Sequence, residues 1–152
     1  MKGKTCSITG HRDVDNAKTD YVKKAIKDCV VELINQGYTH FISGFADGID
    51  LYFAEIVAEL KKEYDITLEA AIPYRNRVNC KKAIFRNLLA ECNIIGIHSE
   101  EYSKSSYLKR NRFMVEQSSL VICVYDGRET GGTFYTKEYA EKLNKEIKLI
   151  AV

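Results

Sequence analysis

The apolar residues fall into two alternating kinds of run. Short runs at Lys4 to Thr9, Thr39 to Ser43, Thr67 to Ile72, Asn93 to His98, Leu120 to Tyr125 and Ile147 to Val152 each predict a strand. The fifth, Leu-Val-Ile-Cys-Val-Tyr, is almost unbroken, which predicts a central strand covered on both faces. Between the strands, apolar positions recur at helical spacing. Val22, Ala25, Ile26, Cys29, Val30, Leu33 and Ile34 mark a first helix, which Gly37 stops. A second helix begins near Asp47-Gly48 and runs to about Tyr64. Its first half, Ile49 to Ala54, is apolar nearly all round and predicts burial on more than one side. A third spans Asn79 to Cys92, with Ile84, Phe85, Leu88, Leu89 and Cys92 on one stripe. Tyr107 to Ser118 and Thr133 to Lys145 complete the set. Pro73, the only proline, closes the third strand.

Strand–helix alternation of this kind predicts an α/β, Rossmann-like three-layer fold, a mostly parallel sheet flanked by helices. No repeat, low-complexity tract or linker interrupts it, so residues 1–152 are expected to form one domain. At 45% hydrophobic and 29% charged residues the chain is not intrinsically disordered. No run approaches the roughly 20 apolar residues of a membrane helix. The start, MKGKTCSITG, lacks the apolar core of a signal peptide. Five cysteines without CxxC spacing fit free thiols in a reducing compartment. A cytoplasmic protein is the resulting expectation.

Ligands bind open α/β sheets beyond the carboxyl ends of the strands, where strand order reverses. The loops Gly10 to Asn16, Ser43 to Gly48, Pro73 to Val78 and Asp126 to Thr133 should converge there, carrying His11, Arg12, Arg75, Arg77 and Arg128. In the stretch Ser43 to Asp50, Gly44 and Gly48 permit a tight turn, and the following helix N-terminus suits a phosphate. The plain alternative is a strand-to-helix turn with Asp47 as N-cap. Gly131-Gly132-Thr133 precedes a helix in the same way, although neither a Walker A loop nor GxGxxG is present. Taken alone, the pair of glycines also suits an ordinary loop. His11 could act as acid or base near neutral pH, and Arg12 could fork onto a phosphate. A solvent-exposed basic turn would look the same in sequence.

Arg110, Met114 and Gln117 share one face of their helix, which by itself suits a solvated basic face. Tyr102 and Tyr107 lie on the loop side, where either could stack on a base. Paired lysines fall on separate helices and do not form a nucleic-acid stripe. Histidine and cysteine spacing predicts no metal site, and no cofactor is expected. Cys6 reads as an interior strand residue, which argues against pairing with His11 as a nucleophile.

Taken in order, Ile8-Thr9-Gly10-His11-Arg12, Ser43-Gly44 with Gly48 and Asp50, Ala71-Ile72-Pro73, Arg110-Asn111 with Met114-Val115, Val124-Tyr125-Asp126-Gly127, and Gly131-Gly132-Thr133 with Ala140 resemble the SLOG superfamily. Its members include DNA-processing protein A and the Lonely Guy phosphoribohydrolases, and the YpsA-type branch is the most similar. The resemblance implies a nucleotide-derived ligand, adenine- or ADP-ribose-containing, that is sensed or sequestered. It further implies that Gly44, Gly48, Gly131, Gly132 and Thr133 cradle phosphates. Gly10, Ser43, Asp47 and Asn111 complete the expected ligand-binding set. Arg12 and Arg110 would neutralise charge, Asp50 would accept a ribose hydroxyl, and His11 would orient the ligand or act as a base.

Two departures separate the branches. The Lonely Guy pattern PGGxGTxxE places its glutamate where this chain has Thr136. Glu138 lies two residues on, about 200° around a helix, and is a poor substitute. That disfavours an N-glycosidic hydrolase acting on nucleoside monophosphates, although Glu55 or His11 could serve another chemistry. DNA-processing proteins carry an arginine where this chain has Asp47, which repels a polyphosphate strand and disfavours a nucleic-acid partner. A homodimer is the default expectation. The formal net charge of +2 fits a compact phosphate pocket better than a nucleic-acid track.

Overall fold

The computed structural model describes residues 3–152. Strand β1 (Lys4–Gly10) leads through a short 3-10 turn (Asn16–Lys18) into α1 (Thr19–Asn35). There follow β2 (Tyr38–Ser43), α2 (Ile49–Leu60), β3 (Thr67–Ile72) and a second 3-10 segment (Arg75–Asn79). The chain continues through α3 (Ala83–Ala90), β4 (Ile94–Ile97), α4 (Ser106–Gln117), β5 (Leu120–Tyr125), α5 (Gly132–Lys142) and β6 (Glu146–Ala151). The six strands form one sheet in the order β4-β3-β2-β1-β5-β6. Every ladder is parallel, in agreement with the strand–helix alternation.

The period of two along each strand divides the core between the faces. Cys6, Ile8, Phe41, Leu68, Ala70, Ile72, Ile122 and Val124 point to one side, where Val22, Ile26 and Val30 of α1, Phe53 and Val57 of α2 and Phe85 of α3 cover them. Val121 and Cys123 point to the other, against Val115 of α4 and Ala140 of α5. Ile42 and Ala71 meet Met114 on that same side. β5 is an interior strand, one in from the edge between β1 and β6, and its apolar run is covered as expected, with Val121 to Val124 fully buried. Ile94 and Ile95 of β4 and Leu149 of β6 stay exposed because those strands form the sheet edges. One buried polar contact ties the halves together. The hydroxyls of Ser7 and Ser118 lie 2.8 Å apart, and both reach the carbonyl of Met114 at 3.3 and 2.6 Å.

Several element bounds differ from those expected from sequence, among them the end of α2, at Leu60 rather than Tyr64. α3 starts at Ala83 rather than Asn79, because Arg75–Asn79 form a 3-10 segment and Lys82 is extended. That segment is tied across the molecule: Arg77 donates to the Phe45 carbonyl at 3.3 Å and lies over the Phe85 ring. α2 starts after Gly48, whose φ of +83° places it outside the helix, and Asp47 does not cap it. α5 ends at Lys142, and Asn144 at φ +58° turns the chain into β6. All five cysteines are free. Cys6 is fully buried, and burial pushes its thiol pKa well up, so it has no nucleophilic character.

Candidate functional site

Strand order reverses between β1 and β5, and a pocket of about 310 Å³ lies beyond their carboxyl ends. Four chain segments wall it. The exit of β1 supplies Gly10, His11, Arg12 and Asp13; the turn before α2 and its first residues supply Ala46 and Asp50; α4 supplies Tyr107, Arg110 and Asn111; the loop into α5 and the head of α5 supply Arg128, Gly131, Gly132, Thr133 and Thr136. Nine of the residues singled out in the sequence are thus brought together: Gly10, His11, Arg12, Asp50, Arg110, Asn111, Gly131, Gly132 and Thr133.

The head of α5 is open. Its N-cap, Gly131, sits at φ +94° and offers no side-chain cap. The first helical bond runs from the Tyr135 amide to the Gly131 carbonyl at 3.1 Å. The preceding amides, of Gly132, Thr133 and Phe134, therefore lack helical acceptors and carry the positive end of the helix dipole. Thr133 does not cap the helix but lies within its first turn, and Thr136 donates to the Gly132 carbonyl at 2.7 Å.

The three arginines at the pocket differ in how far they are committed. Arg110 is 3% exposed. Its Nη1 donates to the carbonyls of Gly44 (2.5 Å) and Ala71 (3.2 Å), and its Nε to Asn111 Oδ1 (2.8 Å). Burial disfavours its charge, and Asp50 compensates. Burial in turn raises the Asp50 pKa, while Arg110 and the Ala46 amide, 3.3 Å from Oδ2, pull it back. Both groups lie against Gly44: a Cβ there would sit 2.8 Å from Arg110 Nη1 and from Asp50 Oδ2.

Arg128 spans two loops, reaching Asp13 Oδ1 at 3.2 Å and Asp126 Oδ1 at 3.0 Å. Its hydrogen bonds hold the Asp126 carboxyl well below the usual carboxylate range. Arg12 is exposed, and its guanidinium lies 5.4 Å from the centre of the Tyr107 ring. Arg110 lies 5.6 Å from the same ring. Tyr107 continues outward into an edge-to-face cluster with Tyr74 and Tyr102.

His11 is buried, with its ring 5.6 Å from that of Tyr125. The Asp126 amide donates to its Nε2 at 3.2 Å. Burial lowers the His11 pKa, Asp126 opposes, and Arg128 adds to the lowering, so the neutral ring accepts this bond. Protonation would instead favour the Asp126 carboxylate, whose Oδ1 is 3.1 Å from the same nitrogen.

Ser43, Gly44, Asp47 and Gly48 are outside the pocket lining. Ser43 accepts from the Phe45 amide and donates to the Asp50 carbonyl, so its hydroxyl is spent inside the turn. Gly44 gives its carbonyl to Arg110. Asp47 turns outward to Lys82 at 2.9 Å. Gly48 passes close to Arg12, whose carbonyl would lie 3.3 Å from a Cβ at that position. Together they form the backing of the pocket wall. Glu55 is on α2, 3.9 Å from Lys23, and does not line the pocket. Asp13, Tyr107, Arg128 and Thr136 join this lining from outside the expected ligand-binding set, although Arg128 is visible in sequence as a strand-exit arginine and Tyr107 as a residue that could stack on a base. Among the described residues, no group of three or more His, Cys, Asp or Glu side chains is placed to hold a metal ion, and no helix is long and apolar enough to cross a membrane.

A parallel sheet with a pocket at its point of strand reversal defines a Rossmann-like α/β protein. Among solved structures, DNA processing protein A from Helicobacter pylori matches with a TM-score of 0.71 at 21% identity. The match covers 97% of this chain but 65% of that one, and that structure was described for its single-stranded DNA binding mode. The structure of TM1055 matches with a TM-score of 0.62 at 15% identity, covering 95% of this chain and 72% of that one. In sequence, the chain is 28% identical to a UPF0398 protein of Ligilactobacillus salivarius, covering 91% of this chain and 84% of that relative. It is 25% identical to the UPF0398 protein YpsA of Bacillus subtilis, covering 94% and 87%. The family model for YpsA, described as the YspA SLOG family, matches residues 6–152, and the chain belongs to this family.

Proposed function

We propose that the pocket binds a nucleotide-derived small molecule, adenine- or ADP-ribose-containing, through its phosphate, and that the protein acts as a sensor or sequestering domain in the cytoplasm, as a homodimer. The observation that carries this reading is the uncapped head of α5 opening onto a pocket whose one uncommitted guanidinium, among the described residues, is Arg12. Free amides and a guanidinium facing one cavity suit a phosphate. Asp50, supplied by α2 to the lining of the same pocket, suits a sugar hydroxyl.

The hydrolase alternative draws less support. Thr136 occupies the pocket where a Lonely Guy enzyme would carry its glutamate, and neither Glu138 nor Glu55 lines it. A nucleic-acid reading is favoured by one observation, the Tyr74–Tyr102–Tyr107 cluster beside Arg12, in which Tyr102 is exposed, since aromatics next to cations stack on single-stranded bases. The likeness to DNA processing protein A points the same way.

Thermal-shift measurement against nucleotides, dinucleotides and cyclic nucleotides tests the main reading. A ligand at about 100 times its Kd adds about 2.7 kcal/mol, and Arg12→Ala should abolish the shift without changing the transition of the free protein. If no compound moves the transition while a single-stranded oligonucleotide binds in a salt-dependent manner, the small-molecule reading is wrong. Release of free base from nucleoside monophosphates would restore the hydrolase reading.

A further inference from the structure

A second cavity, of about 320 Å³, lies in the groove between α4 and α5. Tyr107, Asn111, Gly132 and Thr136 line both this cavity and the polar pocket, and so form the partition between them. Beyond the partition the lining changes character. Leu108, Tyr135 and Tyr139 supply aliphatic and aromatic surface, with Lys104 and Arg112 also lining the groove. Leu108 is 47% exposed and Tyr135 56%, large for apolar side chains beside a cavity.

The partition is polar and directional. Asn111 spends its Oδ1 on Arg110, so its amide donors remain for another partner, and Nδ2 points toward Gly132 at the head of α5. Tyr139 is fixed: its hydroxyl donates to Glu116, and Arg112 lies 5.3 Å from its ring centre. A rigid aromatic wall, a cationic edge and an amide donor at the inner end suit a flat, electron-rich ring bearing hydrogen-bond acceptors.

We infer that this groove is the subsite for the nucleobase of a ligand whose sugar-phosphate end occupies the polar pocket, so that the complete site prefers nucleotides to sugar phosphates. The inference rests on the phosphate-binding reading above. The shared partition gives the occupant: a molecule anchored at the head of α5 has its other end directed over Gly132 and Asn111 into the groove.

Titration calorimetry of the full chain with AMP and with ribose 5-phosphate, which carry the same single phosphate, tests it. AMP should bind about tenfold or more tightly than ribose 5-phosphate, the scale of one base stacked on an aromatic side chain. Tyr135→Ala should remove most of that advantage and leave ribose 5-phosphate binding unchanged. Leu108→Ser should act in the same direction. Tyr135 is exposed, so the fold should tolerate its loss, and the unfolding transition of each variant checks this. Equal loss for both ligands, or no loss for AMP, overturns the inference while leaving the phosphate site standing. Conversion of a dimer to a monomer by Tyr135→Ala in sedimentation, with AMP binding unchanged, assigns the groove to a second copy of the chain. If neither ligand binds the wild-type protein, the phosphate-binding reading itself falls.

Discussion

Replacing Arg110 should test whether the wall of the pocket is held by this one side chain. Its guanidinium is buried and donates to the carbonyls of Gly44 and Ala71, with Asp50 as the nearby opposite charge. Arg110→Ala removes two charge-assisted hydrogen bonds, each contributing about 1.5–3 kcal/mol, and leaves buried acceptors without a donor. It also leaves the Asp50 carboxylate without its compensating cation. Asp50 is half-buried, so the two lost hydrogen bonds set the scale, about 3–5 kcal/mol in all. For a domain of this size each kcal/mol moves Tm by about 2–4 °C, so a fall of about 10 °C is expected. Arg110→Lys keeps the charge but loses the fork, and should lose about 1–3 kcal/mol. Urea unfolding followed by circular dichroism, at low and high protein concentration, supplies the assay. If Arg110→Ala unfolds within about 1 kcal/mol of wild type, the guanidinium is solvated in solution and free to meet a ligand, and its assignment to the wall is wrong.

Two further measurements bear on the same architecture. Gly10→Ala would place a Cβ 2.5 Å from Ile49 Cγ2, against a buried β-branched side chain that cannot turn away; a loss of about 1–3 kcal/mol is expected in urea unfolding, and an unchanged midpoint would show that α2 can slide. Burial lowers the pKa of both His11 and His98, so between their folded values and the unfolded value near 6.5 the unfolded chain binds more protons. Their contribution to stability is present above that window and is lost as pH falls through it. Asp50, with its raised pKa, acts in the opposite sense from lower pH upward, so the quantity to measure is the difference between wild type and the double variant His11→Asn with His98→Asn between pH 5 and 7. An equal pH slope in the two proteins would exclude the histidines as the source.

The parallel sheet was legible because its inner strands are short apolar runs while the helices carry apolar residues on a stripe, so the two periods separate in the sequence. The start of α3 was not legible, because what holds Arg75–Asn79 out of the helix is a hydrogen bond to Phe45, far away in the chain. The convergence of Gly10, His11, Arg12 and Gly131 to Thr133 followed from the strand–helix alternation, which puts the strand-exit loops at one end of a parallel sheet. The commitments within the site did not. Nothing local distinguishes Arg12, which stays exposed, from Arg110, which is spent on two carbonyls. One signal was available: Arg110 shares a helical face with Met114, and it is that face of α4 that is buried. Gln117, placed on the same face by spacing, is exposed at the last turn. Asp47 shows the opposite limit, since a carboxylate in a glycine-rich turn reads as part of a site until Lys82, 35 residues on, is seen to take it.

The placement of β1 beside β5 has a consequence for how binding competence arises. One half of the pocket is encoded in the stretch up to Asp50 and the other half from Tyr107 onward. An emerging nascent chain can pair β1 with β2, and β2 with β3, and still possess no site, because the head of α5 has not yet been made. Competence then appears late, together with the closure of the long connection that brings β5 against β1. A ligand that bridges the two halves would act as a clasp across that connection, and its stabilising effect would reach the entire cooperative unit and not only the loops it touches.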